Sequence, residues 1–144
     1  MRISERGIRL IKEFEGCRLV AYSCQAGKWT IGYGHTGRWV IKDLTISQQQ
    51  AEEWLIVDCN QVIKLLRSEY IGPLRQCQVD ALVSLGFNIG TEALRKSTLM
   101  KKLKKNPDDP SIIDEFGRWV YVKGVVSQGL VRRRKAEAKM YAGG

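Results

Sequence analysis

The stretch EFEGCRLVAYSCQAGKWTIGYGHTG, residues 13–37, changes its period midway. Upstream, Ser4 fits an N-cap, Ile3 and Ile8 fit a hydrophobic staple, and Gly16 fits a stop, which predicts a helix over residues 5–15. Downstream, residues 18–23 and 28–34 alternate. Trp29, Ile31 and Tyr33 share one face and Thr30, Gly32 and Gly34 the other, with Gly27 as the turn residue, so a hairpin is expected, extended by a third short strand near Trp39 to Ile41.

Beyond the hairpin the signal is helical. Ser47 and Gln50 match a capping box, and a periodic segment runs from Ser47 to about Tyr70, where Gly72-Pro73 ends it. Further helices are expected over 74–89, stopped by Gly90, and over 97–105, 111–121 after the turn NPDDP, and 130–142. The fold class is α+β and bilobal: a small hairpin lobe over roughly 14–46, a linking helix over 47–70, and a larger helical lobe over 74–144 that includes helix 5–15. A cleft between two such lobes is a natural ligand site.

At 144 residues the chain is expected to form one domain, and 44% hydrophobic with 27% charged residues excludes a disordered chain. Charges at Arg2, Glu5, Arg6, Arg9, Lys12, Glu13 and Glu15 leave no apolar core of a signal peptide, so cytoplasmic accumulation is expected. The net charge of +9 attracts polyanions: nucleic acid, anionic membrane or acidic wall polymer. KKLKK (101–105) and RRRK (132–135) read as solvated helix faces. Cys17, Cys24, Cys59 and Cys77 show no C-x-x-C spacing, and with one histidine in the chain no metal or cofactor is expected.

Glu15 follows Ile8 by seven residues and Ile11 by four, which sets it about 20° from Ile8 around the helix, inside the apolar stripe. Burial and the negative end of the helix dipole both favour the neutral acid there, unless a nearby Arg or Lys opposes them. A protonated carboxylic acid is what protonates the leaving-group oxygen of a glycoside. The alternative is a helix-end glutamate that bends out to water. A three-residue hairpin loop over Ala26 to Lys28 would set Cys24 opposite Thr30, whereas a two-residue loop would offset them.

Glu15, Cys24 and Thr30, spaced as Glu, eight residues, Asp or Cys, five residues, Thr, resemble the signature of the phage-type lysozymes, or endolysins, of glycoside hydrolase family 24. Later segments are similar in order to those of the family: DALVSLGFNIG (80–90), STLMKKL (97–103), EFGRW (115–119) and GLVRRRKAE (129–137). The resemblance implies a lysozyme-like fold and a muramidase that hydrolyses the β-1,4 bond between N-acetylmuramic acid and N-acetylglucosamine in peptidoglycan. It implies Glu15 as general acid, with Cys24 and Thr30 placing the attacking water. Cys24 replaces the commoner aspartate, which leaves the anomeric outcome open; a thiolate is able to act as base or nucleophile. By the same correspondence His35, Thr36, Phe87, Asn88 and Ser97 line the glycan groove. A monomer is expected, held in the host cytoplasm until holin-made lesions release it to the periplasm and wall, without stable membrane insertion.

His35, the one histidine, has a structural alternative. Ala51, Leu55, Asp58 and Val62 share one helical stripe, so Asp58 is an acid on a buried face that needs a partner, and a His35–Asp58 pair would brace the hairpin on the long helix. Trp54, Phe116 and Trp119 are expected in the core of the helical lobe; Trp29 and Trp39 fit either sugar stacking or packing. Arg133 and Glu137 at i and i+4 are expected as a surface pair. Two rival functions stand beside the muramidase. A lytic transglycosylase needs one acid and leaves 1,6-anhydro ends; a nucleic-acid module has only charge in its favour, without a recognisable motif or aromatics among the basic clusters, so nucleic acid is not expected as a partner.

Overall fold

The computed structural model of the chain describes residues 1–24 and 27–144. Helix α1 (Glu5–Glu15) starts where Ser4 Oγ accepts from Gly7 N at 3.3 Å. The same serine ties this end to α3 (Gln76–Ile89): its N and Oγ donate to the Asp80 carboxylate at 2.9 and 2.5 Å, and Gln76 Nε2 donates to it at 2.8 Å. Gly7 permits the approach, since a Cβ there would lie 2.8 Å from Asp80 Oδ1.

The small lobe is a three-stranded antiparallel sheet in the order β1 (Arg18–Ser23), β2 (Trp29–Gly32), β3 (His35–Thr36). Its register pairs Tyr22 with Thr30, Ser23 with Trp29, and Thr30 with Thr36. The third strand therefore lies nearer than the expected 39–41 position. Gly34 at φ +86° turns the chain directly after Tyr33, so β3 pairs at once and residues 39–41 form no strand. A bridge from Val20 to Thr45 fastens the following loop to β1.

Helix α2 (Gln48–Glu69) has the expected cap, with Ser47 Oγ accepting from Gln50 N at 3.1 Å. It leads to the helical lobe: α3, α4 (Thr91–Lys96), α5 (Thr98–Lys105), α6 (Ile112–Phe116) and α7 (Gln128–Tyr141). α3 is its centre, because Gln78 through Gly86 are all buried, and α1, α2 and α7 pack around it.

Two further differences from the sequence expectation concern this lobe. α4 occupies a segment for which no helix is expected. The expected helix over 111–121 stops at Phe116 and gives way to a second hairpin, β4 (Tyr121–Val122) with β5 (Val125–Val126). The cause is local: Lys123 and Gly124 both adopt positive φ, +49° and +79°, the geometry of a tight two-residue turn, and β-branched valines flank it.

Candidate active site

Glu15 is the last residue of α1, and Gly16 at φ +65° turns the chain away behind it. Its side chain is 19% exposed, and Oε2 accepts from Arg133 Nη1 of α7 at 2.9 Å. The cation that the sequence left open is thus Arg133, delivered from 118 residues away. The turn between β2 and β3 also comes close to it, since a Cβ at Gly34 would stand 3.3 Å from Glu15 Oε1. Beside the acid opens a groove of about 1020 Å³, whose lining includes Phe14, Asn88, Trp119, Tyr121, Leu130 and Arg133.

The hairpin carries Cys24 and Thr30, with a register that differs from the expected one. Thr30 faces Tyr22, and Cys24 N donates to Lys28 O at 2.9 Å, so Cys24 stands opposite Lys28. Ala26, expected in the loop, lies outside the described residues. Thr30 is 5% exposed, and its hydroxyl donates to Lys28 O at 3.2 Å. Opposite Thr30 stands Tyr22, whose phenol is pushed up by burial first and then by the charge of Glu15, with Arg18 opposing and Cys24 adding least. Its signal in the sequence is its place two residues before Cys24, which puts both on one face of the ribbon.

The other expected groove residues separate by role. His35 is buried; its Nδ1 lies 2.8 Å from Asp58 Oδ2, its Nε2 accepts from Trp39 Nε1 at 3.2 Å, and its ring stacks on Trp54 at 4.5 Å. The expected pair with Asp58 is present, and Trp54 packs on it. Thr36 is exposed on β3. Asn88 is exposed and lines the groove, while Phe87 packs against the core. Ser97 is buried at the start of α5, where its hydroxyl donates to Leu94 O at 2.6 Å and accepts from Met100 N at 3.1 Å, so it does not line this groove. Phe116 is fully buried, Trp119 forms part of the groove wall, and Trp39 is exposed.

Arg133 and Glu137 correct another expectation. They form a buried cluster rather than a surface pair, 3% and 0% exposed, and Arg134 of the supposed solvated run is 1% exposed. Arg133 Nε donates to Glu137 Oε2 at 3.3 Å and its Nη2 to Ser84 O at 3.3 Å; Arg134 Nη2 donates to Asn88 Oδ1 at 2.8 Å. The physical reason is that α7 lays this face on α3, which offers uncharged polar groups there. Spacing alone does not distinguish a buried i, i+4 pair from an exposed one. Among the described residues no group of three or more His, Cys, Asp or Glu side chains is placed to hold a metal ion.

A match to the phage lysozyme family covers residues 12–137. An endolysin of Acyrthosiphon pisum secondary endosymbiont phage 1 is 47% identical over 98% of both chains. Among solved structures, a mutant of the lysozyme of phage P22 superposes with a TM-score of 0.84 at 37% identity over 99% of each chain. The muramidase domain of SpmX from Asticaccaulis excentricus superposes with a TM-score of 0.87 at 32% identity over 97% of each. The family match over most of the chain and the full-length similarity to an endolysin settle the assignment: the chain belongs to the phage lysozyme family and is a peptidoglycan-lytic enzyme.

Proposed function

We propose that the chain is an endolysin muramidase, hydrolysing the β-1,4 bond between N-acetylmuramic acid and N-acetylglucosamine with Glu15 as general acid. The observation that carries this reading is Glu15 itself: a partly buried carboxylate at the mouth of a groove, gripped by Arg133 at 2.9 Å and backed by Gly34. A carboxyl so held keeps one orientation toward the glycosidic oxygen, which is the requirement for proton transfer to a leaving group. A solved relative with the same architecture is a muramidase domain, which supports the choice of bond.

In this reading Glu15 gives its proton to the bridging oxygen, the bond from that oxygen to the anomeric carbon breaks, and water adds to the carbon. The resulting Glu15 carboxylate stays against the Arg133 guanidinium. Cys24 and Thr30 on the hairpin hold the water, and Cys24 as thiolate takes its proton. His35 serves the scaffold, while Asn88 lines the groove and Thr36 stands exposed on β3. The positive charge favours retention on an anionic wall and weakens with salt. No helix among the described residues is long and apolar enough to cross a membrane, which fits release from the cytoplasm to the wall through lesions made by another protein.

The test is digestion of purified peptidoglycan by the protein and by Glu15→Gln, with the released muropeptides identified by mass spectrometry. New reducing-end muramic acid made only by the unmutated protein is the expected result. Glu15-dependent 1,6-anhydro ends would make it a lytic transglycosylase, and intact glycan with bound protein would leave only a binding site.

A further inference from the structure

Behind the Glu15–Arg133 contact lies a second tier of buried charge that proton donation as described does not use. Glu137, fully buried, is shared by two successive arginines of its own helix. Its Oε2 accepts from Arg133 Nε at 3.3 Å and from the Ser84 hydroxyl, and its Oε1 lies 2.7 Å from Arg134 Nε. Arg134 reaches forward to Asn88 Oδ1 at 2.8 Å, on the groove wall, and its Nη1 meets no acceptor among the described residues. Two guanidinium groups therefore face the acid from behind, with one carboxylate to offset them.

We propose that Glu137 is a positioning residue for the acid: together with Arg134 it locks the orientation of Arg133 and sets the net charge that Glu15 faces, and thereby the alkaline limit of catalysis. This rests on Glu15 being the proton donor. A buried ion cluster is a poor device for stability alone, because desolvating the ions consumes most of what their attraction returns, and apolar residues of similar size would serve as well. Its use here is charge control. With Arg133 and Arg134 both positive and Glu137 negative, the cluster presents Glu15 with one net positive charge. Without Glu137 it would present two, favouring the ionised carboxylate, which has no proton to give; without Arg134 it would present none, favouring the protonated acid. Burial pushes Glu137 up and draws Arg134 down, each opposed by the other's charge, and Arg134 feels the charge of Glu15 as well.

The other groups around the acid remain constant in such a comparison. They are Tyr22 from β1 and the titratable Cys24 at its end, the backbone of Gly34, Glu13 on α1 itself, Arg118 and Arg132 on the groove walls, and the uncharged Ser84 and Asn88 of α3. None changes charge when Glu137 or Arg134 is replaced by glutamine.

The experiment is the pH profile of peptidoglycan hydrolysis, at limiting and saturating substrate, for the full chain and for Glu137→Gln, Arg134→Gln, the double variant and Glu137→Asp, with folding followed by circular dichroism. The expected result is a shift of the alkaline limb by about one pH unit downward in Glu137→Gln and a comparable shift upward in Arg134→Gln. The double variant, whose net charge is restored, returns toward the unmutated limb, and Glu137→Asp keeps the limb in place. A merely structural role lowers the amount of active protein without moving the limb in opposite directions. Unmoved limbs, or shifts of one sign in both single variants, would overturn the proposal. Should Glu137→Gln fail to fold, Arg134→Gln decides by the upward shift or its absence. Glu15→Gln run in parallel separates the two levels: if it retains activity, the donor assignment itself fails, whereas an inactive Glu15→Gln with unmoved limbs overturns only the role of Glu137.

Discussion

His35 Nδ1 and Asp58 Oδ2 lie 2.8 Å apart across the junction of the small sheet and α2, with the Trp54 ring stacked on the imidazole and the Trp39 indole donating to its other nitrogen. Its Nδ1 joins the sheet to α2, and its Nε2 holds the loop after β3. His35→Asn is expected to lower stability by about 1–3 kcal/mol, the cost of leaving a partly buried acceptor short of its donor, as read by denaturant unfolding.

The pH dependence of that loss has a definite sign. Burial pushes the Asp58 carboxyl above its ordinary range, with the hydrogen bond and charge of His35 opposing. Stability linked to a raised carboxyl is complete below its ordinary value and declines as pH rises through the folded value. The His35→Asn deficit should therefore be larger at about pH 6 than at about pH 3. A deficit that is the same at both would show that Asp58 does not depend on its partner.

Glu52 behaves in the opposite sense. Lys12 Nζ of α1 lies 2.5 Å from its carboxylate, and Gln48 Nε2 donates to it at 2.9 Å. The hydrogen bond from Lys12, then that from Gln48, hold its carboxyl below the ordinary range. The stabilisation is present above the ordinary carboxylate value and lost as pH falls through the lowered one. Glu52→Gln should be slightly less stable than the parent at neutral pH, by less than about 1 kcal/mol because the pair is well solvated, and the gap should close on acidification. Thermal unfolding of both proteins across pH reads the difference directly.

Gly34→Ala attacks the acid from the sheet side. The site has φ +86°, and the added methyl would stand 3.3 Å from Glu15 Oε1. Strain of about 1 kcal/mol is expected in stability, together with a loss of activity of tenfold or more because the carboxyl is displaced. If folded Gly34→Ala hydrolysed peptidoglycan at the parent rate, tight packing behind the acid would have no catalytic role.

Cys24 is tested by replacement in both directions. Cys24→Ser removes the thiol and should impair hydrolysis clearly, though less than Glu15→Gln. Cys24→Asp supplies the residue commoner in the family and should keep substantial activity, within about tenfold of the parent. Muropeptide release measured on folded protein decides, and an inactive Cys24→Asp would exclude water positioning at this site.

What was legible in the sequence was short-range. Ser4, Gly16, Ser47 and Gly90 act within one turn of chain, so α1, the start of α2 and the end of α3 could be read from spacing alone. The His35–Asp58 pair was also legible, because an acid on a buried helical stripe announces a need that a single histidine can meet. The β4–β5 hairpin was missed since its cue is only two turn residues, Lys123 and Gly124, inside a segment that otherwise extends a helical period. The position of β3 depended on the positive φ of Gly34, one of several glycines in the hairpin. Arg133 and Glu137 show the deeper limit. Their spacing on α7 is visible in the chain, but whether that face meets water or α3, and that Arg133 ends 2.9 Å from a carboxylate 118 residues away, is decided only when three helices pack. The sequence thus places Glu15 at the end of α1 and shows the elements around it, while the charges that surround it are settled by tertiary packing, because burial and long-range electrostatics have no period along the chain.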